Sequence, residues 1–63
     1  MLGSELKARL DRLPITRRVA AAALGLTLRG LHHQMSGERP VSRQTQLLLE
    51  VLEERSRRRR RAA

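Results

Sequence analysis

Apolar residues fall into clusters along the chain, and each cluster has a helical rather than an alternating period. Leu6, Leu10 and Leu13 recur at i, i+4, i+7, and Leu2 extends the stripe. The spacing predicts a first helix over residues 5–13, capped by Ser4, with Glu5 in the first turn where the helix dipole favours an acid. Pro14 stops it, because the residue before a proline avoids the α region. Thr16 reads as the next cap, ahead of Arg17–Leu24 with its alanine run Ala20–Ala23. Ala20, Ala21 and Leu24 share one face of that second helix, where small side chains let another helix come close. Gly25 stands where a left-handed residue ends a helix.

Thr27 caps a third predicted helix, over residues 28–35. With Leu31 at 0°, Met35 falls at about 40° and Leu28 at about 60°, so these three are expected to face inward. His32, Ser36, Arg29 and His33 fall at about 100°, 140°, 160° and 200°, a polar and partly cationic opposite arc. Gly30 inside this helix costs roughly 1 kcal/mol against alanine, and close approach to the second helix or to DNA would account for it. Ser36-Gly37-Glu38-Arg39-Pro40 is a turn by composition. A last helix starts near Pro40 or Ser42 and runs through Glu54. With Leu47 at 0°, Val51, Leu48 and Leu52 fall at about 40°, 100° and 140°, a core arc. Leu49, at about 200°, lies outside it and is expected to be exposed. Leu49, with Thr45 and Leu52, is therefore the candidate contact with a second copy of the chain. No strand signal and no internal repeat is present, so the fold class expected is all-α, four or five short helices.

Composition narrows the function classes. Sixty-three residues, 40% of them apolar, make one small domain with no room for a deep pocket, which argues against an enzyme. Without cysteine there is neither disulfide nor thiolate metal site. The absence of aromatic residues removes base stacking as a recognition device. No apolar run is long enough to span a membrane, and charges at Glu5, Lys7 and Arg9 break any secretory pattern, so a cytoplasmic, nucleoid-associated location is expected. The chain has 14 basic and 6 acidic residues, a net charge of +8. Arg55, Arg57, Arg58, Arg59, Arg60 and Arg61 supply six of those basic groups, leaving residues 1–54 with a net +2. The expectation is a domain over residues 1–54 and an arginine tail over 55–63, disordered when free because like charges repel. Such a balance points to polyanion partners: nucleic acid first, an acidic membrane surface second.

The run Arg17-Arg18-Val19-Ala20-Ala21-Ala22-Ala23-Leu24-Gly25-Leu26-Thr27-Leu28-Arg29-Gly30-Leu31-His32-His33-Gln34-Met35-Ser36 resembles the helix-turn-helix of the Cro/CI (XRE-like, lambda repressor-like) family. Ala21 matches that family's small residue in the first helix, Gly25 its turn glycine, and Leu24, Leu26 and Leu31 its apolar positions around the turn. Gly37-Glu38-Arg39-Pro40-Val41 is similar to the G-x-R-P-[VI] run that follows the recognition helix in short members. The likeness covers residues 4–54. It departs at Gln34, where the family has an apolar residue; Met35 is expected to supply that packing, with a shift at the end of the recognition helix.

The resemblance implies a sequence-specific repressor of transcription, probing double-stranded DNA at a palindromic operator as a homodimer. Small phage-type autorepressors, including those linked to anti-CRISPR operons, are the nearest analogy. The third helix would enter the major groove with Leu28, Arg29, His32 and His33 at the bases, the Arg29 fork suiting guanine O6 and N7. Thr16, Arg17, Arg18, Thr27, Ser36, Arg39, Arg43, Arg57 and Arg58 are the candidates for phosphate contact. For each arginine the plain alternative is a solvated surface charge. His32 and His33 point about 100° apart and cannot chelate one ion, and no nucleophile-base-orienter set accompanies them. No metal, cofactor or catalytic role is therefore expected. The alternative function is a small RNA-binding or antitoxin-like protein-interaction module using the arginine tail, which would not need the Arg29/His32/His33 arc.

Overall fold

A helix needs its end groups satisfied before it can pack, and three of the four helices here begin on a hydroxyl. The computed structural model describes the backbone of residues 1–62 and the side chains of residues 1–59. It contains α1 (Gly3–Asp11), α2 (Arg17–Ala23), α3 (Leu28–Ser36) and α4 (Arg43–Ala62), with no strand among the described residues. Thr16 Oγ1 accepts from the Val19 amide at 3.2 Å and Thr27 Oγ1 from the Gly30 amide at 2.9 Å. Ser42 Oγ accepts from the Thr45 amide at 3.1 Å and opens α4.

The first helix differs from expectation. It starts at Gly3, after Leu2, with no side-chain cap. Ser4 lies inside it, and Leu2 is 67% exposed instead of joining the stripe. The cause is steric: a Cβ on Gly3 would collide with the carbonyl oxygens of Gln34 and Met35. The start of α1 thus sits directly on the end of α3, an approach only glycine permits.

α2 ends on a left-handed Gly25, φ 71°. The Leu26 amide donates to the Ala21 carbonyl at 2.8 Å and the Gly25 amide to the Ala22 carbonyl at 3.1 Å, which closes the helix with the paired bonds of a Schellman cap. Three residues later α3 begins.

Leu6 and Leu10 of α1, Ala20 and Ala21 of α2 with its C-cap Leu24, Leu31 and Met35 of α3, Val41, and Leu49 of α4 form one buried cluster. α1 and α2 both pack on α3, and the alanine face of α2 is buried as its pattern predicted. Leu28 departs from the expected inward arc: it is 38% exposed. Gln34, the departure from the family pattern, is itself buried and accepts the Ser42 amide at 3.4 Å. Gln34 and Met35 are both buried at the end of α3.

α4 lies with a different face inward than its leucines suggested. Leu49 is fully buried and Thr45 is 1% exposed, its hydroxyl 2.8 Å from Ser42 Oγ. Leu48 and Leu52 pack partly against the same cluster. Leu47 and Val51, expected inside, are 53% and 45% exposed. The proposed contact set of Thr45, Leu49 and Leu52 is therefore corrected: two of the three are sealed within this chain and the third is packed on its core.

The helix also continues past residue 54 and through the arginine run to Ala62. Arginine is a good helix former, and Glu54 accepts from Arg57 Nε at 3.2 Å and from Arg58 Nε at 3.4 Å, offsetting part of the repulsion. The expectation at residue 63 lies outside the described residues. None of the described helices is long and apolar enough to cross a membrane.

An ion pair latches α4 to α1. Arg9 Nε donates to Glu53 Oε2 at 2.9 Å, and Arg9 Nη2 to the other carboxylate oxygen. The Arg9 hydrogen bonds outweigh burial and hold the Glu53 carboxyl below the usual carboxylate range. A depressed acid contributes its stability above the unfolded-state pKa of about 4.3 and loses it as pH falls through the lower folded value. Both side chains are about a quarter to a third exposed, which keeps the contribution to about 1 kcal/mol or less. Glu53→Gln is expected to remove part of the fall in melting temperature between about pH 5 and about pH 3. Identical pH profiles for the two proteins would show that the latch does not hold.

Candidate nucleic-acid interface

The polar arc of α3 carries one arginine and one fully outward histidine. Arg29 and His32 are exposed, and neither has an ion-pair partner among the described residues. They lie at i, i+3 behind Leu28, whose side chain is also part-exposed at the helix start. Three residues named for base contact, Leu28, Arg29 and His32, thus form one outward surface.

His33 differs. Its Nδ1 meets the Glu38 carboxylate, reached because Gly37 turns the chain back at φ 86°. That pairing, five residues apart across a left-handed glycine, has no helical-spacing signal and was not legible in the sequence. It leaves His33 a half-buried ring engaged within the chain. Ser36 is exposed, with its hydroxyl donating to the His33 carbonyl at 3.2 Å.

The phosphate candidates separate in the same way. Thr16 and Thr27 use their hydroxyls as helix caps. Arg17, at the first position of α2, is paired with Asp11 of α1, while its neighbour Arg18 is exposed and without an acidic partner among the described residues. Arg39 and Arg43 flank the α3–α4 connection and are exposed. Arg57 and Arg58 share the Glu54 carboxylate on the far half of α4. So α3, the start of α2 and the α3–α4 loop each present a cation, and the arginine run adds more along one long helix.

Gly30 serves the cap of its own helix. A Cβ there would stand 3.1 Å from Thr27 Oγ1, with the Leu26 side chain at 4.0 Å and no atom of α2 within 4 Å, so the expected approach to α2 is not what places it. Among the described residues no three His, Asp or Glu side chains are grouped to hold a metal ion. The chain matches no family model, no curated protein and no solved structure.

Proposed function

We propose that this chain is a helix-turn-helix DNA-binding repressor of the Cro/CI type, acting by occupying promoter DNA and not by catalysis. The observation that carries this reading is the α2–turn–α3 unit with its outward Arg29 and His32. Two capped helices are joined by a glycine-closed turn, and on the second helix Arg29 and His32 have no ion-pair partner among the described residues. In this reading α3 enters the major groove. Arg29 and His32 carry base recognition and Leu28 offers an apolar contact to a thymine methyl. Arg18, Arg39 and Arg43 position the domain on the phosphates.

The homodimer is retained as part of the proposal, but through a different surface. Leu47 and Val51 lie at i, i+4 on the outer side of α4, both about half exposed. Exposed Arg43 and Glu50 stand on the same side of that helix, so two antiparallel copies of α4 would set an arginine near a glutamate at each end of a small apolar seam. A two-fold assembly of this kind requires a palindromic operator with half-sites one helical turn, or a multiple of it, apart.

The direct test is a gel shift on the DNA upstream of the protein's own gene, with and without an RNA competitor. Arg29→Ala is expected to weaken operator binding by about 1–3 kcal/mol while leaving random duplex binding nearly unchanged. Equal losses on both DNAs would reduce Arg29 to a phosphate contact. Displacement by RNA, with no preference for the operator, would transfer the assignment to the RNA-binding alternative.

A further inference from the structure

On another side of the molecule, a groove of about 440 Å³ runs between the α1–α2 connection, α2 and the second half of α4. Its size falls in the range of small-molecule sites, about 300–1,000 Å³. The walls are hydrocarbon: Leu13, Pro14, Ile15, Val19, Ala23 and Leu52. Leu13, Ile15 and Leu52 rest on the buried core and form a fixed floor. Val19, by contrast, is 52% exposed on a helix whose other face is packed with alanine. Nothing in the DNA-binding reading uses it.

The α4 edge of the groove has the opposite chemistry. Arg55, Ser56 and Arg59 line it, the two arginines at i, i+4 and so on one side of the helix. Both are exposed, and neither has an ion-pair partner among the described residues. Their neighbours Arg57 and Arg58, outside the groove, are the ones that share the Glu54 carboxylate. No acidic side chain lines the groove. Hydrocarbon walls with two free guanidinium groups at one edge complement a ligand with an apolar body and an anionic head. The opening is too small for a stable protein interface, which covers about 800 Å² on each partner.

We propose that this groove binds a single-chain amphiphilic anion, of which a medium-chain fatty carboxylate is the simplest example. The hydrocarbon lies along Val19, Ala23 and Leu52, and the head group takes charge-assisted hydrogen bonds from Arg55 and Arg59. The site stands on the groove alone and does not depend on DNA recognition by α3. Where that recognition holds, an occupied groove removes two arginines from the pool available to phosphates.

The probe is decanoate, titrated below its micelle concentration into the full chain, with butyrate, decanol and decyltrimethylammonium as comparators. Saturable one-to-one binding is expected, read by calorimetry and by NMR shifts at Val19, Ala23 and Leu52. Affinity rises about fourfold per methylene from hexanoate to decanoate. Arg55→Gln with Arg59→Gln lowers decanoate affinity about tenfold or more and leaves decanol unchanged. Ala23→Trp, which fills the trough, abolishes binding of both; Val19→Trp does the same from the neighbouring turn should the first variant not fold. Equal affinity for butyrate and decanoate would reduce the effect to ion pairing with arginines and overturn the proposal, as would tight binding of decyltrimethylammonium. Vesicles containing phosphatidylglycerol separate the two sources of anionic amphiphile. Vesicle binding that survives Ala23→Trp, with no saturable binding of free decanoate, would place the arginines on a lipid surface and overturn the groove.

Discussion

Leu49→Glu is expected to unfold the chain, not to release a folded monomer. Leu49 is fully buried in the cluster that joins all four helices. Truncating such a leucine to alanine costs about 2–5 kcal/mol, and an ionised carboxylate without a partner costs more. At roughly 0.05–0.15 kcal/mol per residue, a chain of 63 residues has only about 3–9 kcal/mol to lose. The contrasting variant is Leu47→Glu. Leu47 is 53% exposed, and a surface change of this kind stays within about 0.5 kcal/mol. Circular dichroism should show a collapsed or absent thermal transition for Leu49→Glu and a near-native one for Leu47→Glu. Sedimentation of the second variant then tests the proposed α4 seam, which predicts loss of self-association in a folded protein. A cooperative, helical Leu49→Glu would mean that α4 does not dock through this residue.

The error about α4 has an identifiable source. Five apolar residues spread over about 200° of one helix, so the leucines alone do not select a centre. The charges do. On the same wheel Glu50, Glu54 and Arg58 fall at about 300°, 340° and 20°, and Leu47 sits among them. Centring the buried arc opposite these charges, near 160°, collects Leu49, Leu52 and Thr45. Thr45 was hard to place inside because its hydroxyl needs a partner, and the partner, Ser42, is supplied by the same turn that caps the helix. Gln34 was misjudged for a related reason. Its buried amide is satisfied by a backbone group eight residues away, a contact that no helical spacing encodes.

What was legible was local. Thr16 and Thr27 as caps, Gly25 as the left-handed terminator and the alanine face of α2 each depend on groups within one or two turns, and each is present. The outward arc of Arg29 and His32 followed from the same periodicity. Contacts between elements were not legible. Gly3 against the end of α3, Arg9 on Glu53, Arg17 on Asp11 and the apolar groove all arise where separate segments meet. His33 was placed on the correct arc by period, yet its carboxylate partner lies beyond a turn that reverses the chain.

The arginine run allows a prediction that separates a helical extension from an extended tail. Deleting residues 55–63 removes six positive charges from a protein whose remainder carries a net +2. Each phosphate neutralised contributes about 0.9 to the slope of log K against log salt. A tail that lies extended along a duplex can place nearly all six arginines on phosphates, and its loss would flatten the slope by up to roughly 5. α4, however, carries these residues on a continuous helix. With Arg55 at 0°, Arg59, Arg57 and Arg58 fall at about 40°, 200° and 300°, so they point around most of the circumference. A rigid helix sets one side at a time against a phosphate strand, and the expected flattening is then about 2–3. Binding to all duplexes should weaken together, while the preference for operator over random DNA should survive, because that preference is assigned to Arg29 and His32. Salt titrations of full-length and truncated protein on both DNAs measure the difference. A change near 5, accompanied by loss of helical ellipticity on adding DNA, would mean that the end of α4 unwinds onto the phosphates. An unchanged slope would mean that the arginines do not touch DNA at all, leaving them to RNA or to the groove they border.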